Sequence, residues 1–322
     1  MQHILERIEQ LGIVPVVKID DAGQAVPLAR ALLGGGLPVA EITFRTEAAE
    51  DAIRNIVAQV PDMLVGAGTV LTTDQAKRAI DAGVRFIVTP GLSPKVVEFC
   101  LEREMPVTPG VATPTDIQTA LELGLDILKF FPAEAFGGLS TLKALSAPFG
   151  AVRFIPTGGI SADNLVDYLM FPKVLACGGS WMVKDTLIKN GRFDEITRLT
   201  REAVDRMLGF ELAHVGLNAP DAETSLSLAR QISRTFSLPL KEGNSSNFAG
   251  KGFEINKTPG LGANGHLAVA TNSIPRAIAW LERQGVAVDM NTAKHDPGGN
   301  LLAVYLKGET GGFALHLMQK KP

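Results

Sequence analysis

Short apolar runs alternate with amphipathic stretches along residues 12–208. The runs are IVPVV (13–17), VAEIT (39–43), MLVGA (63–67), RFIV (85–88), PVTP (106–109), ILKF (127–130), RFIP (153–156) and VLAC (174–177). Between them lie pieces such as AGQAVPLARALLGGG and EAAEDAIRNIVAQV, the latter apolar at helical spacing. The runs recur about every 22 residues, one βα unit each. Near-continuous apolar strands belong to sheets buried on both faces. Eight such units predict a closed (β/α)8 barrel of the TIM type. An open doubly wound sheet would carry a glycine fingerprint after its first strand, whereas here Val17-Lys18-Ile19-Asp20 follows.

After the helix-like ITRLTREAVDRML the pattern changes. Residues 211–322 read as two related halves, each in β-α-β-β-β order. The first runs from ELAHVGLN through DAETSLSLARQISRTF to GKGFEIN. The second runs from NGHLAVAT through IPRAIAWLERQG to VAVDM, LLAVYL and GFALHLMQ. The openings align His214 with His266. The closing strands align Glu254 with His316, each four residues after a glycine, Gly250 and Gly312. The second half needs a longer loop, placed around DMNTAKHDPGGN. The expected domains are 1–209, an α/β barrel, and 210–322, a smaller α+β domain of paired βαβββ modules.

Composition supports that boundary. The 322 residues hold 31 Lys+Arg and 34 Asp+Glu, a net −3, with 46% hydrophobic residues. Residues 211–322 carry 11 basic and 9 acidic side chains, or +2, leaving 20 and 25, or −5, for the first part. Four of the five histidines also fall in the second part. There is enough apolar material for a full core and no basic domain for nucleic acid. No apolar run is long enough for a membrane span, and the polar start MQHILERIEQ is no signal peptide. Cys100 and Cys177 cannot make a disulfide framework and read as reduced thiols, so a cytoplasmic chain is expected.

Barrel chemistry sits at the C-terminal ends of the strands. Polar residues stand there in AEITFRT (Glu41, Thr43, Arg45, Thr46), GAGTV (Thr69), DILKFFPAE (Lys129), PTGGI (Thr157, Gly158, Gly159) and CGGSW (Gly178, Gly179, Ser180). Lys129 is the most informative. Burial among Ile127, Phe130 and Phe131 disfavours an ammonium, which is how a lysine becomes a nucleophile towards carbonyls. The other reading of the residue is a structural lysine paired with a buried carboxylate such as Glu41, and Glu41 is correspondingly an acid/base or a counter-ion. Two Gly-Gly turns, the first followed by Ser161 as an expected helix N-cap, suit an anion after strands 7 and 8.

In order and spacing, EITFRT, GAGTV, TPGL, KFFPAE, PTGGI and GGSW resemble the 2-keto-3-deoxy-6-phosphogluconate (KDPG) / 4-hydroxy-2-oxoglutarate (KHG) aldolase family over about residues 5–208. The resemblance implies a class I aldolase that splits a 2-keto-4-hydroxy acid into pyruvate and an aldehyde without a cofactor. Lys129 would form the Schiff base and Glu41 would serve as acid/base. Arg45, with Thr69 and Thr157, would hold the pyruvyl carboxylate. Gly158, Gly159, Gly179 and Ser180 would receive a substrate phosphate. It also implies a trimer. A related aldolase acting on 2-keto-3-deoxy-6-phosphogalactonate is the alternative.

Residues 211–322 resemble the glyoxalase / vicinal-oxygen-chelate superfamily, by pattern rather than by a specific motif. That resemblance implies metal ligands on the first and last strands of each module, here His214, Glu254, His266 and His316. The set suits Zn²⁺, Mn²⁺, Fe²⁺ or Ni²⁺. His316 departs from the glutamate usual at the last position. A non-catalytic binding or assembly module is the alternative. His295, in a polar loop, has no assigned role, and Trp181 and Trp280 read as packing.

Overall fold

The computed structural model describes residues 1–320, and the chain divides into two compact units, Met1–Met207 and Leu208–Pro322. In the first unit the strands are β1 (Ile13–Val17), β2 (Val39–Thr43), β3 (Leu64–Gly68), β4 (Phe86–Val88), β5 (Val107–Thr108), β6 (Gly110–Val111), β7 (Ile127–Phe130), β8 (Arg153–Pro156) and β9 (Cys177–Gly179). They form two curled parallel sheets, in the orders β5-β4-β3-β2-β1-β9 and β6-β7-β8. Pro109 lies between β5 and β6, which are otherwise one stave, because proline has no N–H for the ladder. Bridges Phe154–Val174 and Thr157–Gly178 tie β8 to the last stave. Eight staves of a (β/α)8-type fold result.

Two expected strands change. The run at 106–109 is strand only at Val107–Thr108, and its stave resumes past Pro109 at Gly110–Val111. The run at 174–177 is displaced towards Gly179, since Val174 makes only a single bridge while Cys177 to Gly179 pair with Ile13 to Pro15. The helix Gln2–Leu11 packs Ile8 and Leu11 against Val14, Val39, Leu64, Phe86, Ile127, Ile155 and Leu175, residues at or near the strand starts. Apolar side chains thus fill one end of the barrel, and the chemistry-bearing residues are left at the other.

In the second unit the strands are β10 (Glu211–Asn218), β11 (Leu240–Glu242), β12 (Ser246–Ala249), β13 (Phe253–Asn256), β14 (Gly265–Thr271), β15 (Val288–His295), β16 (Leu301–Thr310) and β17 (Phe313–Gln319). One sheet runs β11-β12-β13-β10-β14-β17-β16-β15. Its centre is an antiparallel β10–β14 pair, and each of these strands has its own half's last strand beside it in parallel. The two halves therefore repeat one arrangement about the centre. The helix Ala222–Phe236, N-capped by Asp221, buries Ala229 against Ile255, with Leu217 and Phe253 packed alongside. Glu254, Gly216 and His266 pair across neighbouring strands, and so project from the opposite face to Ile255 and Leu217.

The expected loop at DMNTAKHDPGGN is a second correction. Val288–His295 is a strand, His295 ends it, and only the turn after Asp296 remains. Its polarity misled because β15 is the edge of the sheet and half of its side chains face solvent. No helix among the described residues is long and apolar enough to cross a membrane.

Candidate functional site

At the C-terminal end of the barrel strands, Lys129 Nζ on β7 donates to Glu41 Oε1 on β2 at 3.3 Å, with side chains only 7% and 4% exposed. Two opposite charges this deep satisfy each other, where either alone would carry a heavy desolvation cost. Gly68 makes the approach possible: a Cβ there would lie 2.0 Å from Glu41 Oε1. The Phe131 ring lies 5.3 Å from Lys129 Nζ.

Beside this pair is a cavity of about 200 Å³ whose walls include Arg45, Phe131, Thr157, Gly158, Gly179 and Ser180. Gly159 also lines it, whereas Thr69 reaches it through Arg45, whose Nε donates to Thr69 Oγ1 at 3.3 Å. Thr69 itself holds a left-handed φ of 56°. The expected carboxylate and phosphate residues are thus gathered round one space. Lys129 and Glu41 are buried and do not themselves line it.

Helix N-termini do not form the Gly-Gly turns. Ser161 caps no helix: its Oγ accepts from Asp163 N, and the next helix is only Leu165–Leu169. After the second turn the helix starts later still, at Asp185. Only the first is a turn of left-handed glycines, Gly158 at φ 96° and Gly159 at 82°, a conformation that exposes backbone N–H groups, whereas Gly178 and Gly179 lie in strand β9. The Gly159 turn also packs closely, since a Cβ there would lie 2.5 Å from Glu134 Cβ. Glu134 in turn accepts from the Tyr168 hydroxyl at 2.5 Å.

Sequence reasoning passed over Lys18. It follows β1 directly and lines the same cavity, with Nζ 2.8 Å from Asp20 Oδ1 and 3.6 Å from Asp185 Oδ2. Hydrogen bonding to Asp20 raises its pKa, so it is a fixed positive charge beside the glycine turns. The available signal was its position, one residue past a barrel strand.

In the second unit the four expected ligand residues converge. Glu254 Oε2 lies 3.0 Å from His214 Nε2 and 3.5 Å from His266 Nε2, and the two Nε2 atoms are 3.1 Å apart. The His316 ring centroid is 5.0 Å from that of His266 and 5.7 Å from that of His214. One ligand atom from each histidine falls within 4.8 Å of the others. A bulge between Leu212 and His214 sets the β10 side chains in this register. Gly216 leaves room for the His266 imidazole, because a Cβ there would lie 2.0 Å from its Cε1. Ser246 Oγ donates to Glu254 Oε1 at 2.6 Å and fixes the carboxylate.

Charge in the cluster is unbalanced. Hydrogen bonds from His214 and His266 hold the Glu254 carboxyl well below the usual carboxylate range. Burial, helped by the neighbouring imidazoles of His266 and His214, pushes His316 down to about 4. Both ring nitrogens of His316 are buried without any hydrogen-bond partner. Buried polar atoms are normally satisfied. Three imidazoles with converging ligand atoms, a carboxylate against two of them and two such orphans fit a divalent cation.

A (β/α)8-type fold with a buried lysine–glutamate pair at the strand ends, beside a cavity that Lys18 and Arg45 line, defines a class of carbonyl-acting barrel proteins. Residues 4–199 match the KDPG and KHG aldolase family, and the chain belongs to that family. It is 51% identical over 204 residues to a 2-dehydro-3-deoxy-phosphogluconate aldolase of Haemophilus influenzae, covering 63% of this chain and 96% of that one. Among solved structures, it is similar to the 2-keto-3-deoxy-6-phosphogluconate aldolase of Zymomonas mobilis with 3-phosphoglycerate. That likeness has a TM-score of 0.58 at 41% identity, over 62% of this chain and 94% of the other. It is also similar to a Legionella pneumophila KDPG aldolase holding pyruvate as a covalent carbinolamine, with a TM-score of 0.60 at 39% identity, over 62% and 97%. The family match ends eight residues short of Met207.

Proposed function

We propose that residues 1–209 form a class I aldolase that cleaves 2-keto-3-deoxy-6-phosphogluconate, or 4-hydroxy-2-oxoglutarate, to pyruvate and glyceraldehyde 3-phosphate, or glyoxylate. The observation that carries this reading is Lys129 Nζ held 3.3 Å from Glu41 in a buried position. The carbinolamine captured in the Legionella relative supports it.

Glu41 takes a proton from Lys129, and the free amine adds to the C2 carbonyl to give a carbinolamine. Glu41 returns the proton to the departing hydroxyl, so that water leaves and an iminium forms. Deprotonation of the C4 hydroxyl breaks the C3–C4 bond. Its electron pair flows into the iminium, leaving an enamine and a free aldehyde. Protonation at C3 and hydrolysis then release pyruvate and regenerate the lysine. The nucleophile is the chain's own, so no cofactor is required. The Arg45 guanidinium suits the pyruvyl carboxylate. Lys18 and the turns at Gly158, Gly159, Gly179 and Ser180 suit a terminal phosphate, which favours the phosphorylated substrate.

Borohydride reduction with pyruvate tests the Schiff base and should label the peptide carrying Lys129. Trapping that persists in Lys129→Ala would show the assignment to be wrong. Comparing kcat/KM for the phosphorylated and unphosphorylated acids tests the substrate choice.

For the second unit we propose a glyoxalase / vicinal-oxygen-chelate-like domain, residues 210–322, holding a divalent metal. His214, Glu254, His266 and His316 would be the ligands, and the orphaned His316 nitrogens support the reading. Such an ion supplies Lewis acidity to an oxygen bound beside it. Metal analysis of the purified chain should find one ion, absent from His266→Ala. No stoichiometric metal in either protein would leave a non-catalytic binding module.

A further inference from the structure

The histidine cluster opens onto a cavity of about 260 Å³, below the roughly 300 Å³ at which pockets for drug-sized ligands begin. His266, His316 and Glu254 form one side, and Thr292, Lys294, Ala303 and Tyr305 on β15 and β16 form another. Register places these side chains together. Tyr305 pairs with His316, and Ala303, two residues earlier on the same face, pairs with Lys294.

Most polar groups around the cavity are already engaged. Ser246 donates to Glu254, and Asn256 Nδ2 donates to Asn218 Oδ1. Thr292 Oγ1 accepts from Tyr305 N and donates to the Asp289 carbonyl. Two strong donors on the β15–β16 side are not. Among the described residues, Lys294 makes no ion pair and the Tyr305 hydroxyl makes no hydrogen bond. Lys294 is also the single lysine or arginine lining the space.

We infer that this cavity takes a small carboxylic acid and that Lys294 is the residue that selects it. The inference rests on the metal reading above. A divalent ion held by one carboxylate and three neutral imidazoles leaves one positive charge in excess, and Lys294 adds a second. Lys294 is exposed at the rim of this space, and a neutral ligand would leave the ion's excess charge unanswered below it. An acid answers the ammonium with a charge-assisted bond and accepts from Tyr305 with its other oxygen. Phosphate is the poorer match, because Lys294 and the Tyr305 hydroxyl are two donors, which suit the two oxygens of a carboxylate better than the four of a phosphate.

The test uses the full chain loaded with Co²⁺, whose visible spectrum reports on this cluster and not on the barrel. Co²⁺ should bind one per chain. Lactate and oxalate should then change the spectrum, whereas propane-1,2-diol, the neutral counterpart of lactate, should not. Lys294→Met should weaken the lactate effect about tenfold or more, with Co²⁺ affinity unchanged, and Lys294→Arg should restore it. A spectrum silent to both acids, a diol response equal to that of lactate, or an unchanged Lys294→Met would each overturn the inference while the metal reading stands. Tighter binding of inorganic phosphate would replace the carboxylate by a phosphate. Failure of Co²⁺ to bind would remove the metal reading and this inference with it.

Discussion

The two units solve the problem of buried charge in opposite ways. In the barrel, Lys129 and Glu41 sit in one salt bridge, and the site is electrostatically complete as folded. In the second unit, Glu254 already draws on two histidines and a serine while His316 has no partner for either nitrogen. One site carries its counter-charge in the chain, and the other leaves buried imidazole nitrogens without a partner. The first arrangement suits covalent chemistry, and the second is the basis of the metal proposal above.

The sharpest way to break the comparison is Lys129→Ala. Aldol cleavage should fall by about 10⁴-fold or more, as for other loss of a covalent nucleophile, while the second unit binds its metal as before. Steady-state kinetics and metal analysis on the same preparation check both halves. A fall of less than tenfold would mean that another group is the nucleophile.

His266→Ala is the reciprocal experiment. Metal affinity should drop by about 100-fold or more, with kcat for aldol cleavage unaltered. Parallel loss of aldolase turnover would contradict two self-contained sites.

Acid should separate the units next. In metal-free protein, His316 stays neutral in the fold down to about 4. The unfolded chain takes up that proton below about 6.5. Over this window the unfolded state binds more protons, so the second unit loses stability as pH falls, by about 3 kcal/mol at most. Denaturant titrations of the chelator-treated chain should show the slope. Metal should suppress it, and His316→Gln should flatten it.

The smallest effect tests the phosphate turn. Gly159→Ala imposes a Cβ at φ 82° and 2.5 Å from Glu134 Cβ. The turn should shift, raising KM for the phosphorylated substrate about tenfold and changing the unphosphorylated one less, for a strain of about 1–3 kcal/mol. Equal losses on both substrates would place the phosphate elsewhere.

Legibility in the sequence followed burial. Lys129 and Glu41 stood out because a charged residue inside an apolar strand is rare and demands a reason. Lys18 did not, because one residue past the strand it looks like any loop charge. The edge strand Val288–His295 read as loop because solvent covers half of it, and Lys294 was hidden with it. Ser161 met the statistical pattern of a helix cap, but the chain turns through three more residues before the helix forms.

By itself the sequence determined the eightfold alternation, the change of pattern near residue 210, the repeat of His214 at His266, and the lysine at a strand end. Each of these is a local or periodic property that hydrophobic spacing writes directly into the chain. Only the tertiary structure decided that Lys129 meets Glu41, 88 residues away, and that Gly216 and Gly68 clear the space their neighbours fill. It also set Lys294 and His316, two strands apart, on one cavity. Such contacts depend on register and closure between distant segments, and no spacing along one segment encodes them.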